Sequence, residues 1–235
     1  MDDSKDDSGV KRGIRPPVAD LPVNFSTWPS GQNIYRVHSI CYSALQFNPG
    51  MRGSARFSPV YDSLKQRVPT LYGGINTGVA VMETLFHDLP EHTDGVAYDK
   101  GNLRGLAHSV IAPKVDLNLV DLTPKTMKKM GINRAQLLDS TADQYIYTQE
   151  YATAIHAAHP AAHGLKWSSR QHGDSALMLF GDRVHPDQLD IIIESEVIID
   201  SDTVMEVIEE EADQLGVVLM DDGGGEEPDI TGSIK

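Results

Sequence analysis

The stretch TLYGGINTGVAVMETLFHDL, residues 70–89, sets one carboxylate, Glu83, inside a helical pattern that is otherwise mostly small or apolar. Residues three and four apart share a helix face. Val79, Met82 and Phe86 then form one apolar face, and Ala80, Glu83 and His87 form a second. On spacing alone, Glu83 and His87 make a solvated pair contributing roughly a few tenths of a kcal/mol. The preceding Leu71-Tyr72-Gly73-Gly74 weakens that reading. A strand, a tight glycine turn and a helix can project Tyr72 and Glu83 into one cleft.

Arg36 stands mid-strand between Tyr35 and Val37. An arginine in a buried strand needs an anionic partner, and its planar fork suits phosphate or carboxylate. The alternative is that Arg36 points to solvent while its neighbours point inward. Arg56, in SARFSP, is a similar candidate with more surface character. In GLKWSSRQHGDSALMLF, Ser168 and Ser169 end an apolar strand before a glycine turn, where serine is ordinarily a turn residue and can also contact a ligand. No G-x-S-x-G elbow surrounds them, so a hydrolase pairing Ser169 with His87 or His172 ranks low.

His156, His159 and His163 lie in IHAAHPAAHG, but the glutamate of H-E-x-x-H is missing and Pro160 ends the helix. They are expected to be structural, and no metal site is expected. Neither GxGxxG nor GxxxxGK[ST] occurs, so no phosphate-cradling glycine loop is expected.

These residues need elements to hold them. Asn33–Ser39 alternates and is expected to be a strand, as are Leu106–Ala112, Val115–Asp121, Gly164–Ser168, Ser175–Phe180 and Leu189–Ile199. Ser54–Pro59 and Thr70–Gly73 are expected as short extended pieces, and Val18–Ser30 as loop. Helices are expected over Thr77–Leu89 with Thr77 as N-cap, over about 124–138 with a break near Gly131, and over about 142–158. Thr203 and Glu206 have capping-box spacing ahead of a last helix. Strands and helices mix without regular βαβ alternation, which favours an α+β fold with mixed or antiparallel sheets. One domain over residues 18–220 is expected, with a disordered arm at 1–17 and a flexible acidic tail at 221–235.

The chain has 235 residues and a net charge of −14. Residues 190–235 hold 15 Asp and Glu against one Lys, so this segment carries all of the excess. The rest is neutral and has no basic stripe, which argues against direct nucleic-acid binding. The acidic end is expected to be a solvated face and tail, with a docking surface for a basic partner as the second option. No apolar run is long enough to span a membrane, and the polar opening MDDSKDDSGVKRGIRPP lacks the apolar stretch of a secretory signal. A single cysteine, Cys41, leaves no internal disulfide and fits the cytoplasm.

Taken in order, YR at 35–36, FNP at 47–49, ARFSP at 55–59, LYGG at 71–74, A-x-x-E at 80–83 and W-S-S-R at 167–170 resemble the RES domain. That family is named for its arginine, glutamate and serine. The resemblance covers roughly residues 30–200. It implies Arg36, Glu83 and Ser169 as the catalytic residues, with Ser168 as the neighbouring alternative to Ser169. It also implies Tyr72 as the cleft tyrosine and Arg56 as the arginine after the FNP loop, although the usual R-W-N-type stretch is R-F-S here.

The implied fold is a single ADP-ribosyltransferase-like domain. The implied activity is consumption of NAD+ as substrate, with no further cofactor and no metal, by glycohydrolysis, phosphorolysis or ADP-ribose transfer to a protein. Substrate would meet Arg36, Arg56, Tyr72, Ser169 and His87. The resemblance further implies a toxin that forms a homodimer and pairs with an Xre-type antitoxin. A non-catalytic binding module is the competing expectation, supported by the acidic segment and the lack of a strong stand-alone catalytic motif.

Overall fold

A computed structural model describes residues 14–50, 55–90 and 92–221. Its strands are β1 (Phe25–Trp28), β2 (Ile34–Ser39), β3 (Val60–Tyr61), β4 (Arg67–Val68), β5 (Thr70–Gly74), β6 (Ala97–Asp99), β7 (Leu106–Pro113), β8 (Leu117–Asp121), β9 (Gly164–Ser168), β10 (Ser175–Phe180), β11 (Leu189–Val197) and β12 (Val218–Met220). Its helices are α1 (Thr77–Thr84), α2 (Pro124–Met130), α3 (Arg134–Leu137), α4 (Tyr145–Ala158) and α5 (Asp202–Leu215). Eight strands form one mixed sheet in the order β1-β8-β9-β10-β5-β2-β7-β11. The pairings are antiparallel except β8 with β9, which α2, α3 and α4 connect. The expected α+β class is therefore what the chain adopts.

β10 shows why the sheet is central. Its run SALMLF is almost wholly apolar, as a strand covered on both faces must be. Side chains alternate across a sheet. Leu177 and Leu179 accordingly enter a core with Trp28, Ile34, Ile111 and Leu117. Ala176, Met178 and Phe180 enter the opposite core with Phe57, Tyr151 and Trp167. A third core forms where α1 packs on α5, from Met82, Phe86, Val204 and Ile208. On α5 the acids at 206, 209, 210 and 213 face solvent while Val204, Ile208 and Ala212 face inward, the amphipathic pattern of a surface helix.

Several local expectations are corrected. Residues 18–30 are not all loop, since Phe25–Trp28 pairs with β8. The N-cap of α1 is Asn76, whose Oδ1 accepts from the Val79 amide at 2.8 Å, and the helix ends at Thr84 rather than Leu89. α5 starts after Ser201 without a side-chain cap, so the Thr203–Glu206 capping box is not used. The break at Gly131 is as expected. Gly131 sits at φ 74°, the left-handed conformation that closes helices and that glycine adopts without steric cost. Ile14 packs against the main core and Tyr151 donates to the Arg15 carbonyl at 3.0 Å. Residues 1–13 and 222–235, most of the expected arm and tail, lie outside the described residues.

Candidate active site

β2, β5 and α1 meet at a cleft of about 350 Å³, within the range of roughly 300–1,000 Å³ usual for small-molecule sites. Arg36, Arg56, Tyr72, Glu83 and His87 all line it. Five of the six residues expected at the site are thus brought together, from β2, β5, α1 and two loops. A groove of about 700 Å³ along α4 is larger, but Pro17, Pro59, Tyr61, Ile146 and Ala157 contribute much of its wall. Its polar side chains, among them Lys65, Gln149, Glu150 and Thr153, include none of the residues expected at the site.

The glycines of LYGG position Tyr72 and Glu83 through close packing. A Cβ on Gly73 would stand 2.5 Å from the Ile34 side chain and 2.9 Å from the Tyr35 carbonyl oxygen. A Cβ on Gly74 would stand 2.4 Å from the Val79 side chain. Only glycine lets β5 lie this close to β2 and to the start of α1. Glu83 is half-buried on α1. His87 does not pair with it. The His87 ring instead meets Asp88 at 3.0 Å and the Thr84 carbonyl at 3.1 Å.

Arg36 is buried, at 4 % exposure. Its Nη1 donates to the Ala44 carbonyl and its Nη2 to the Gln46 carbonyl at 3.3 Å. Nε is buried without a hydrogen-bond partner among the described residues. Burial lowers its pKa to about 10, so the group is cationic at neutral pH. The solvent-facing alternative for Arg36 is thereby excluded. Arg56 is also buried, contrary to its expected surface character. It lies 5.6 Å over the Tyr145 ring and reaches toward the Ser140 carbonyl at 3.5 Å. A cation over an aromatic face is held by the ring quadrupole.

Tyr72 donates to Ser58 Oγ at 3.2 Å and packs edge-on against Trp167, with ring centroids 6.1 Å apart. Burial raises its pKa, so it remains a neutral phenol. His38 also lines the cleft. Burial, with the nearby Arg36 charge, lowers its pKa to about 4. A carbonyl can only accept, so Nδ1 carries the proton toward Ser39 O at 3.0 Å and Nε2 accepts from Ser109 at 3.0 Å.

Ser169 departs from the expected set. It is buried at 1 % exposure and does not line the cleft. Its Oγ accepts from the His172 amide at 3.5 Å, and its backbone closes the turn with Asp174 and Gly173. Ser168 Oγ donates to the Gly173 carbonyl at 2.5 Å. Both serines therefore brace the β9–β10 turn, and Trp167 is the member of W-S-S-R that reaches the cleft. The ring of His172 faces Glu211 at 3.4 Å and Asp174 at 3.6 Å, an arrangement without the histidine–serine contact a hydrolase needs. His156 and His159 are held by Asp182 and by the Leu21 carbonyl, as structural histidines are.

The cleft thus combines one carboxylate, two guanidinium groups, the imidazoles of His38 and His87 and the rings of Tyr42, Tyr72, Tyr145 and Trp167. The RES domain family matches residues 33–202, most of the chain. The chain belongs to the RES domain family. No curated protein sequence matches it at a significant level. Among solved structures, it is similar to a chain of the M. tuberculosis MbcT–MbcA toxin–antitoxin complex, with a TM-score of 0.56 and 17 % identity over 78 % of this chain and 92 % of that one. At that identity the likeness establishes a common fold. Sequence reasoning did not single out Tyr145, Trp167 or His38 as RES-domain cleft residues. Only Trp167 carried a signal, as the first letter of W-S-S-R.

Proposed function

We propose that this RES domain is a toxin of a toxin–antitoxin pair that consumes NAD+ by cleaving its nicotinamide–ribose bond. The observation that carries this is the convergence of Glu83, Arg36 and Arg56 on one aromatic-walled cleft. Family membership and a fold shared with a chain of a toxin–antitoxin complex support it.

The chemistry follows from charge. As the C–N bond breaks, its electron pair moves to the nicotinamide nitrogen and neutralises the pyridinium. The ribose is left with oxocarbenium character. A carboxylate aimed at that ribose stabilises the developing charge or holds a hydroxyl, which is the role of Glu83. Arg56 and the N–H groups that Arg36 does not use on its own loop serve the pyrophosphate, whose oxygens accept from guanidinium groups. Tyr72, Tyr145 and Trp167 offer aromatic surface to a ring. An acceptor oxygen then bonds to the ribose. Water gives ADP-ribose, phosphate gives its phosphorylated form, and a side chain gives a modified protein. No metal or further cofactor enters these steps. An Xre-type antitoxin over the cleft, a homodimer and a cytoplasmic setting belong to the same proposal.

The test is incubation of the purified protein with NAD+, with and without phosphate and with a cell extract. Nicotinamide release that Glu83→Gln abolishes, without a change in melting temperature, supports the proposal. Intact NAD+ and no labelled protein in every condition overturns it and leaves a binding module.

A further inference from the structure

Among the described residues, β11 is the last strand of the sheet and pairs with β7 alone. Sheet edges are ordinarily short, or protected by charge, because their open backbone groups can recruit another strand. β11 runs for nine residues and exposes Ile191, Ile192, Ile193 and Val197, at 41 %, 53 %, 43 % and 37 %. Ile199 follows at 42 %. Consecutive exposed isoleucines of this kind mark a contact surface rather than ordinary surface. Acids interrupt them at Asp190, Glu194 and Glu196. Lys114 pairs with Asp190 at 3.4 Å, and Glu196 reaches His108 at 3.2 Å. Glu194 is exposed.

We propose that the β11 edge docks a cationic, extended segment of another polypeptide, one that alternates apolar side chains with Lys or Arg. Charge selects this occupant. In a second copy of this chain, antiparallel pairing centred on Ile192 sets Asp190 against Glu194, and in-register parallel pairing sets each acid against itself. Like charges directly opposite destabilise strand pairs. The chain's C-terminal end is unsuitable for the same reason, since residues 222–235 hold four acids against one Lys. Residues 1–13 hold four Asp against three basic residues and only Met1 and Val10 as large apolar ones, so they lack the alternating pattern. A cationic strand satisfies both features of the edge, its main-chain hydrogen bonds and its interleaved acids, in the manner of strand addition. The two bulges in β11, at Ile191/Ile193 and Ile193/Glu196, locally bend the edge. This proposal does not depend on the NAD+ chemistry of the cleft.

The probe is a fluorescent peptide alternating lysine and valine, titrated into the full chain, with a glutamate–valine peptide as control. Binding is expected to bring amide-exchange protection to residues 189–197, to weaken as salt rises, and to fall at least tenfold in Ile192→Lys and in Glu194→Lys. The two sites are exposed, and unchanged melting temperatures verify that the variants fold. The proposal is overturned if the lysine–valine peptide fails to bind, if it binds both variants as well as the parent, or if protection falls elsewhere. It is also overturned if the parent sediments as a dimer that Ile192→Lys disperses, or if the peptide binds only after truncation beyond residue 221.

Discussion

Arg36 donates from Nη2 to the carbonyl oxygen of Gln46 at 3.3 Å, while Nη1 holds the carbonyl of Ala44. Two of its three nitrogens are therefore committed to the loop that carries Tyr42, Gln46 and Asn48 to the cleft. One N–H on each of the three nitrogens is left for an anion. Lysine retains the charge but cannot span two carbonyls as a planar fork does. Arg36→Lys is expected to lose about 1.5–3 kcal/mol of stability, the range for hydrogen bonds to charged groups. It is also expected to raise KM for NAD+ more than it lowers kcat. Denaturant unfolding and nicotinamide release measure the two effects; a variant as stable as the parent would remove the clamp from the account.

Gly73 makes the close approach of β5 to β2 a steric requirement. Its Cβ would face the Tyr35 carbonyl oxygen at 2.9 Å, and backbone cannot rotate aside as a side-chain end can. Gly73→Ala is expected to cost about 1–3 kcal/mol, as overpacking does. Activity should fall with it, because Tyr72 moves with the strand. Retained stability with normal turnover would show that the sheet yields at this point.

What was legible in the sequence divides along local and non-local lines. β2 and β10 were visible because alternation and an unbroken apolar run are local signals. The break at Gly131 was visible because a left-handed residue needs glycine. β1, β3, β4, β6 and β12 were missed. FSTW, AYD and VLM have no pattern of their own and are strands because a partner pairs with them, as expected where context outweighs propensity. The choice between Asn76 and Thr77 as N-cap turned on backbone angles that composition does not encode. At the site, Arg36, Tyr72 and Glu83 were singled out by family likeness, with a strand and a strand–turn–helix as local support. Tyr145 and Trp167 arrive from α4 and β9, and no local rule connects them to the cleft. Ser169 was chosen by family likeness, yet its hydroxyl is used within its own turn.

That placement separates Ser169 from Tyr72 experimentally. Ser169→Ala removes an acceptor for the His172 amide at 3.5 Å, a long and therefore weak bond. It is expected to change stability by less than about 1 kcal/mol and KM for NAD+ by less than twofold. Tyr72→Phe removes the bond to Ser58 at 3.2 Å inside the cleft wall. Its expected cost is about 0.5–1.5 kcal/mol, with a larger rise in KM than Ser169→Ala gives. A Ser169→Ala enzyme with kcat lowered a hundredfold and unchanged stability would return the serine to the chemistry.

His38 gives the protein a defined acid sensitivity. Its pKa falls from the ordinary 6.5 to about 4 in the folded state, chiefly through burial and then through the charge of Arg36. Between these values the unfolded chain binds a proton that the folded chain refuses. The contribution to stability is therefore fully present above pH 6.5 and is lost as pH falls through the window to about 4. At 1.36 kcal/mol per unit the loss from this one group is on the order of 3 kcal/mol. His108, His156 and His163, whose pKa values burial also lowers, act in the same direction. His38→Gln can donate and accept but cannot titrate. Its unfolding free energy is expected to decline less between pH 7 and pH 4 than that of the parent, whatever its offset at neutral pH. Denaturant titrations of both proteins across that range measure the difference in slope, and parallel curves would show that His38 is already protonated in the fold.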